Sequence, residues 1–169
     1  QFVHTLMESL RVSPAGLGLR LTAPQLLEEF DFINDTLIAD QSAYLDAPRS
    51  GRGFALRRTE RVAVWLLYEQ LTEALRARGL RLWSALAREL CLATPLHLDQ
   101  HHHIMIDEAQ FFAPAWFRQV QHALQPGGQL FICADPNQGF LKLGLSWKSA
   151  GLDVAGRTKT LRHSYRTQR

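Results

Sequence analysis

Two short apolar runs in the C-terminal half each end in acid, and this pattern constrains the fold more than any other feature. His103-Ile104-Met105-Ile106 leads into Asp107-Glu108, and Gln129-Leu130-Phe131-Ile132-Cys133-Ala134 leads into Asp135. Between them, Pro114 to Leu124 places its apolar residues at helical spacing. Continuous apolar runs of this length suit buried strands, and a strand-helix-strand succession predicts a parallel βαβ unit. Polar groups that do chemistry in such sheets collect at the carboxyl ends of the strands. Asp107, Glu108 and Asp135 all stand at those ends.

Upstream, the texture is helical. Phe2, Val3, Leu6, Met7 and Leu10 predict a helix beginning near Thr5. After the Ser13-Pro14-Ala15-Gly16-Leu17-Gly18 loop, Thr22 can cap a helix that starts at Pro24, with Leu26, Leu27, Phe30, Ile33, Leu37 and Ile38 on one side and acids on the other. Thr59 opens a long helix that Gly79 should stop, and Leu82 to Leu92 is one more. Residues 13–94 thus carry no strand signal. The aromatic residues Trp65, Tyr68, Trp83 and Trp116 are expected to pack in the core. Cys91 and Cys133 sit in apolar stretches without a CxxC partner, which predicts reduced core thiols.

With 169 residues, the chain can form one domain with a sizeable insertion. At 46% hydrophobic and 21% charged, it has an ordinary globular composition, which argues against wholesale disorder or a coiled coil. No run approaches the roughly 20 apolar residues of a membrane span, and no signal-peptide pattern opens the chain. The expectation is therefore a cytoplasmic protein with no membrane partner, nucleoid-associated in a bacterium. The net charge of +3 conceals segregation. Residues 21–48 hold six acids and no Lys or Arg, whereas residues 49–88 hold nine arginines against three glutamates. A second basic stretch runs from Lys142 to Arg169. Arginine outnumbers lysine, which suits bidentate phosphate contact. Arg49, Arg52, Arg57 and Arg58 flank a glycine-bearing loop and are candidate contacts to nucleic-acid phosphates. Pairing of the acidic and basic helices with each other would absorb the same charge without nucleic acid.

Adjacent carboxylates after an apolar strand are costly to hold without a cation or polar partner. One of them can bind Mg²⁺ through water while its neighbour polarises an attacking water, as phosphoryl transfer requires; capping the next helix is the simpler alternative. The successive histidines His101, His102 and His103 alternate faces on an extended chain, so a polar lead-in to the strand is favoured over a metal site.

Taken in order, Asp107-Glu108-Ala109-Gln110, Ala134-Asp135-Pro136-Asn137-Gln138 and Ser164-Tyr165-Arg166-Thr167 resemble motifs II, III and IV of the superfamily 1 DNA helicases of the UvrD/Rep/PcrA type. Phe2-Val3-His4-Thr5-Leu6 is similar to their motif Ib. The resemblance implies an α/β fold: a partial RecA-like P-loop NTPase domain (residues 1–12 and 95–169), interrupted by an all-helical, 1B-like insertion (residues 13–94). It implies ATP and Mg²⁺ as cofactors, with Asp107 on the metal, Glu108 as general base, and Gln110 and Asp135 joining the nucleotide to neighbouring motifs. Gln138 would sense the γ-phosphate, Tyr165 would stack on adenine, and Arg166 would act as an arginine finger. His4, Phe140, Lys142 and Trp147 join the arginines as implied DNA contacts, with single-stranded DNA or DNA junctions as partners.

Two departures from the family pattern stand out. The 169 residues contain no G-x-x-x-x-G-K-[ST] phosphate loop. Gln1 therefore reads as a cut into a longer chain, the remaining helicase domains become partners, and the isolated segment is expected to lack appreciable ATPase activity. In addition, Gly139-Phe140-Leu141-Lys142-Leu143 supplies mostly aliphatic residues where the family often offers base-stacking rings. The alternative is a degenerate, non-hydrolysing member that binds DNA or acts as a scaffold.

Overall fold

The computed structural model describes residues 2–11, 19–49, 52–92, 98–135, 137–138, 146–148 and 150–161. The elements in order are α1 (Phe2–Arg11), α2 (Ala23–Asp35), α3 (Gln41–Asp46), α4 (Arg58–Arg76), α5 (Trp83–Leu92), β1 (His101–Ile106), a single 3-10 turn (Ala109–Phe111), α6 (Pro114–Ala123) and β2 (Leu124–Ile132). The chain is mixed α/β: a two-stranded parallel sheet flanked by helices.

Local chemistry sets the helix ends. Thr22 and Gln25 form a reciprocal capping box ahead of α2, and the Asp40 carboxylate accepts from the Ala43 N–H (2.9 Å) to start α3. α4 is stopped where Gly79 takes φ +66° and the Leu80 N–H reaches back to the Leu75 carbonyl (2.9 Å), the Schellman arrangement. That left-handed geometry favours glycine, as the sequence suggested.

Helices α1 to α4 enclose one core, built on Met7, Leu26, Phe30, Ile33, Tyr44, Val64, Leu67, Leu71 and Leu75. α1, grouped by sequence with the sheet, packs on α2 and α4, because Met7 seats its apolar side among the helical residues. Helices α5 and α6 join this unit to the sheet. A directional hydrogen-bond chain ties the helical elements together: the Tyr68 hydroxyl donates to Asn34 (2.7 Å), Asn34 to Ser84 (3.0 Å) and Ser84 to Asp31 (2.6 Å). Arg88 adds donations to the Ile33 carbonyl in the last turn of α2 and to the Ala39 carbonyl beyond it.

Glu29 is fully buried. It does not lie on the outer acidic face expected of α2, because it falls on the apolar stripe with Leu26, Phe30 and Ile33, at helical spacing. Its carboxylate accepts from the Tyr44 hydroxyl (2.6 Å) and from the guanidiniums of Arg49 and Arg52. Arg52 also stacks over the rings of Phe32 (5.0 Å) and Phe54 (5.5 Å). Breaking one side of such a pair strands the opposite charges in the interior. Glu29→Ala is therefore expected to lower the unfolding free energy by about 3–5 kcal/mol, as read by urea denaturation; a change below 1 kcal/mol would show that the cluster is solvated.

The sheet has its own core: Ile106, Ala109, Phe117, Ala150 and Leu152, backed by Ile104, Leu130, Ile132 and Trp147. The register pairs Ile104 with Leu130 and Ile106 with Ile132, so these alternate residues face α6. Between His101 and His103 the register slips, and Gly128 lies in the slip. A Cβ there would meet the His102 and Gln125 carbonyl oxygens at 2.9 Å, so only glycine fits without backbone movement. On the opposite face Met105 is 81% and Phe131 61% exposed. The expectation of strands buried on both faces is thus met on one face only. Cys133 is exposed and Cys91 half-buried, which corrects the assignment of both to the core. Trp65 and Tyr68 pack inside as expected, but Trp83 is 75% exposed. It begins α5, with its ring 5.8 Å from that of Trp116 at an interplanar angle of 32°.

Burial raises the pKa of Asp35 to about 7, and the neighbouring Asp31 adds to the rise while Arg52 opposes it. A carboxyl whose folded pKa exceeds its unfolded value favours the folded state most below the unfolded pKa, about 3.9, and loses that contribution as pH rises toward the folded value. Asp35→Asn is expected to raise the melting temperature at pH 8, with the gain vanishing near pH 4. Equal melting curves for the two proteins at pH 8 would contradict this.

Candidate functional site

The βαβ unit brings the two acidic strand ends side by side. The Cys133 N–H donates to the Ile106 carbonyl (2.8 Å) and the Ala109 N–H returns to the Cys133 carbonyl (2.9 Å), so the ladder runs past both strands into the loops. Asp107 and Glu108 emerge there, both exposed. Glu108 occupies the left-handed region (φ 53°, ψ 35°), and its N–H is held by the Asp107 carboxylate at 2.9 Å. A non-glycine residue costs on the order of 1 kcal/mol in this conformation, a form of strain that concentrates at functional sites.

Gln110 connects the two ends. It is buried (1% exposed), and its Oε1 accepts the Asp135 N–H (3.0 Å) while its Nε2 donates to the Glu108 carboxylate. The amide orientation follows from chemistry: only the oxygen can accept the backbone N–H, which leaves the nitrogen facing Glu108. The Asp135 carboxylate in turn accepts from the Asn137 N–H (2.9 Å) and from the Gln138 amide (2.6 Å). One continuous path thus joins Glu108, Gln110, Asp135 and Gln138. The Asp135 carboxyl is held below the usual range by the Asn137 backbone N–H and the Gln138 amide.

As a metal centre the arrangement is open. Among the described residues no three His, Cys, Asp or Glu side chains converge on a common point. The exposed Asp107 offers a hard oxygen donor of the kind Mg²⁺ takes, and that ion commonly uses one or two carboxylates and fills its other positions with water and phosphate oxygens. The donor type therefore fits Mg²⁺ and does not fit a closed structural zinc site.

The other sequence-selected residues divide. Arg49 and Arg52 are turned inward on Glu29, with side chains only 8% and 16% exposed, so their guanidiniums are engaged within the helical unit. Arg58 pairs with Asp46 at the surface (2.7 Å), and the Arg57 side chain is exposed. Trp147 packs edge-on against Phe117 (5.7 Å) in the sheet core. His4 falls on α1, with its side chain outside the described residues; Phe140, Lys142, Tyr165 and Arg166 also lie outside them. Two features escaped the sequence: the inward turn of the arginines, signalled only by a glutamate on the apolar stripe of α2, and the exposure of Trp83.

Comparison with protein-family models, curated proteins and solved structures returns no match. Among the described residues, no helix is long and apolar enough to cross a membrane.

The Gln138 bond to Asp135 is open to measurement. Gln138→Ala is expected to raise the Asp135 pKa toward the ordinary carboxylate value, without reaching it because the Asn137 N–H remains. Carboxyl-carbon NMR titration reads this directly, and an unmoved pKa would show that Gln138 does not bond the carboxylate in solution.

Proposed function

We propose that this chain is the central part of an ATP-driven translocase on single-stranded DNA, a partial RecA-like domain carrying a helical 1B-like insertion. The observation that carries the proposal is the Glu108-Gln110-Asp135-Gln138 path. It joins two sequence segments, separated by a helix and a strand, at the carboxyl end of a parallel strand pair, the end where ligand sites of open α/β sheets form. In this reading Asp107 would hold Mg²⁺, which would supply positive charge to the nucleotide phosphates. Glu108, oriented by Gln110, accepts the proton of the water that attacks the γ-phosphate. Gln138, hydrogen-bonded to Asp135, would register the phosphate and pass its presence to that residue. The exposed Met105 and Phe131 face supports a sheet meant to be covered by further structure, since parallel sheets are ordinarily covered on both sides. For DNA, the placement of the arginines favours Arg57 and Arg58 over Arg49 and Arg52, whose charge is already matched by Glu29.

The decisive experiment is ATP hydrolysis by the longest natural chain containing these residues, with and without single-stranded DNA. Wild type is expected to hydrolyse ATP and to accelerate with DNA. Glu108→Gln should lose at least about 100-fold of that rate, the order of magnitude of a general base, while still binding ATP. Undiminished turnover in the variant would remove Glu108 from the reaction.

A further inference from the structure

Three arginines share one cavity in the helical unit. The space, about 390 Å³, opens to solvent beside the segment that joins α3 to α4, and Arg49, Arg52 and Arg61 line it together with Phe54, Ala55 and Leu56. No acid is among its lining residues. Its volume lies in the range of small-molecule sites, about 300–1,000 Å³.

A guanidinium carries five N–H donors, and the fold does not use all of them here. Arg61 donates through Nη1 alone, to the carbonyls of Tyr44 (3.1 Å), Leu45 (2.8 Å) and Ala47 (3.1 Å), which leaves its Nε and Nη2 without a partner among the described residues. Arg49 donates from Nη1 to Glu29 and from Nη2 to the Phe54 carbonyl (3.1 Å), and its Nε is likewise without one. The Arg52 Nε is a third such donor, already buried. Charge is unevenly matched as well. Among the described residues, Glu29 is the carboxylate that bonds to this trio, and Arg49 and Arg52 divide it between them. Glu28, Asp31 and Asp35 also act on Arg52, from outside the cavity lining. The charges that act on Arg49 are instead those of Arg52 and Arg61, which add to burial in pulling its pKa down to about 10. Like charges held in such proximity favour an anion in the space they share.

A phosphate monoester suits this space on three counts. It carries nearly two negative charges at neutral pH, and its oxygens match the fork of a guanidinium. Its organic part can lie against Phe54 and Leu56, which are themselves packed on the helical core. A nucleic-acid phosphodiester brings one charge per group and a neighbour on either side, which a single concave site receives less well than the end of a monoester.

We propose that this cavity binds the phosphate of a small phosphomonoester, with Arg49 and Arg61 as the phosphate-binding residues and Phe54 and Leu56 against the organic part. The site shares no residue with the acidic loops of the sheet and needs neither ATP hydrolysis nor DNA.

The test uses the 169-residue chain itself with phenyl phosphate as the probe, read by titration calorimetry at pH 8, where the ester is fully dianionic because its second pKa is about 6. Saturable binding at one site is expected. Phenyl sulfate, of similar shape but with one charge, should bind at least about 5-fold more weakly, and inorganic phosphate should also bind more weakly. Ala55 lines the cavity and is exposed, so it can be changed without disturbing the Glu29 cluster. Ala55→Glu should weaken phenyl phosphate roughly 10-fold by repulsion, whereas Ala55→Gln, nearly the same size and uncharged, should stay within about 2-fold of wild type. Circular dichroism of both variants should match wild type. In the NMR spectrum of the wild-type protein, the Nε–H resonances of Arg49 and Arg61 should shift on saturation with the ester. No saturable binding, or equal affinity in wild type and Ala55→Glu, would overturn the site. Unmoved Arg49 and Arg61 resonances would overturn the assignment of the binding residues. Tighter binding of inorganic phosphate than of phenyl phosphate would assign the cavity to the free ion and overturn the ester. Displacement of phenyl phosphate by oligothymidine at a lower phosphate concentration would assign it to a nucleic-acid backbone and overturn the proposal.

Discussion

A carboxylate without access to water must be matched by donors, and the helical unit is arranged around that need at Glu29. The acid sits on the buried stripe of α2, so neutralising it requires charge brought from elsewhere in the chain. Tyr44 on α3 supplies a hydroxyl, and Arg49 and Arg52 supply guanidiniums from the segment between α3 and α4. Arg49 also donates to the Phe54 carbonyl, and Arg61 to the carbonyls of Tyr44, Leu45 and Ala47, so the same few arginines shape the connection as well as balance the charge. The balance leaves some cost, since the Arg52 Nε is buried without a hydrogen-bond partner among the described residues. The consequence reaches the surface: two cations that composition assigns to solvent are spent inside.

A second constraint operates at the sheet. Two strand ends carrying carboxylates repel each other unless something polar stands between them, and Gln110 fills that position. Its amide is bifunctional, so one side chain satisfies a backbone donor of one loop and a carboxylate of the other. The Gln138 contact to Asp135 extends the connection one residue set further. An arrangement of this kind couples the two loops mechanically, because displacing Glu108 disturbs the Asp135 backbone through a single intervening residue. The left-handed conformation of Glu108 makes that coupling sensitive, since the backbone there is retained only by its surroundings.

Particular residues show how far a linear pattern reaches. Thr22, Pro24 and Gly79 mark helix ends through local rules, and the structure places ends at each of them. The βαβ unit was legible because short apolar runs flanking a helical segment admit few arrangements, and strand ends carrying Asp107, Glu108 and Asp135 follow from it. The pairing of acidic α2 with basic residues was legible as an alternative; which arginines take part was not, since Glu29 finds Arg49 and Arg52 across some twenty residues. Trp83 and Cys133 were assigned to the interior from neighbouring apolar residues, yet α5 begins at Trp83 on its open side and β2 ends before Cys133. Exposure at the end of an element depends on what packs over it, which no nearby residue encodes.

The sequence by itself determined every helix but α3, the parallel strand pair and the position of the acidic loops, because capping, periodicity and run length act over a few residues. The end of α2 at Asp35, short of Leu37 and Ile38, and the short α3 came from the fold. Tertiary structure alone decided which charges face solvent, that Gln110 bridges the two loops, and that one tryptophan remains outside. Each of those outcomes balances a desolvation cost against partners distant in the chain, and only the folded arrangement brings those partners together.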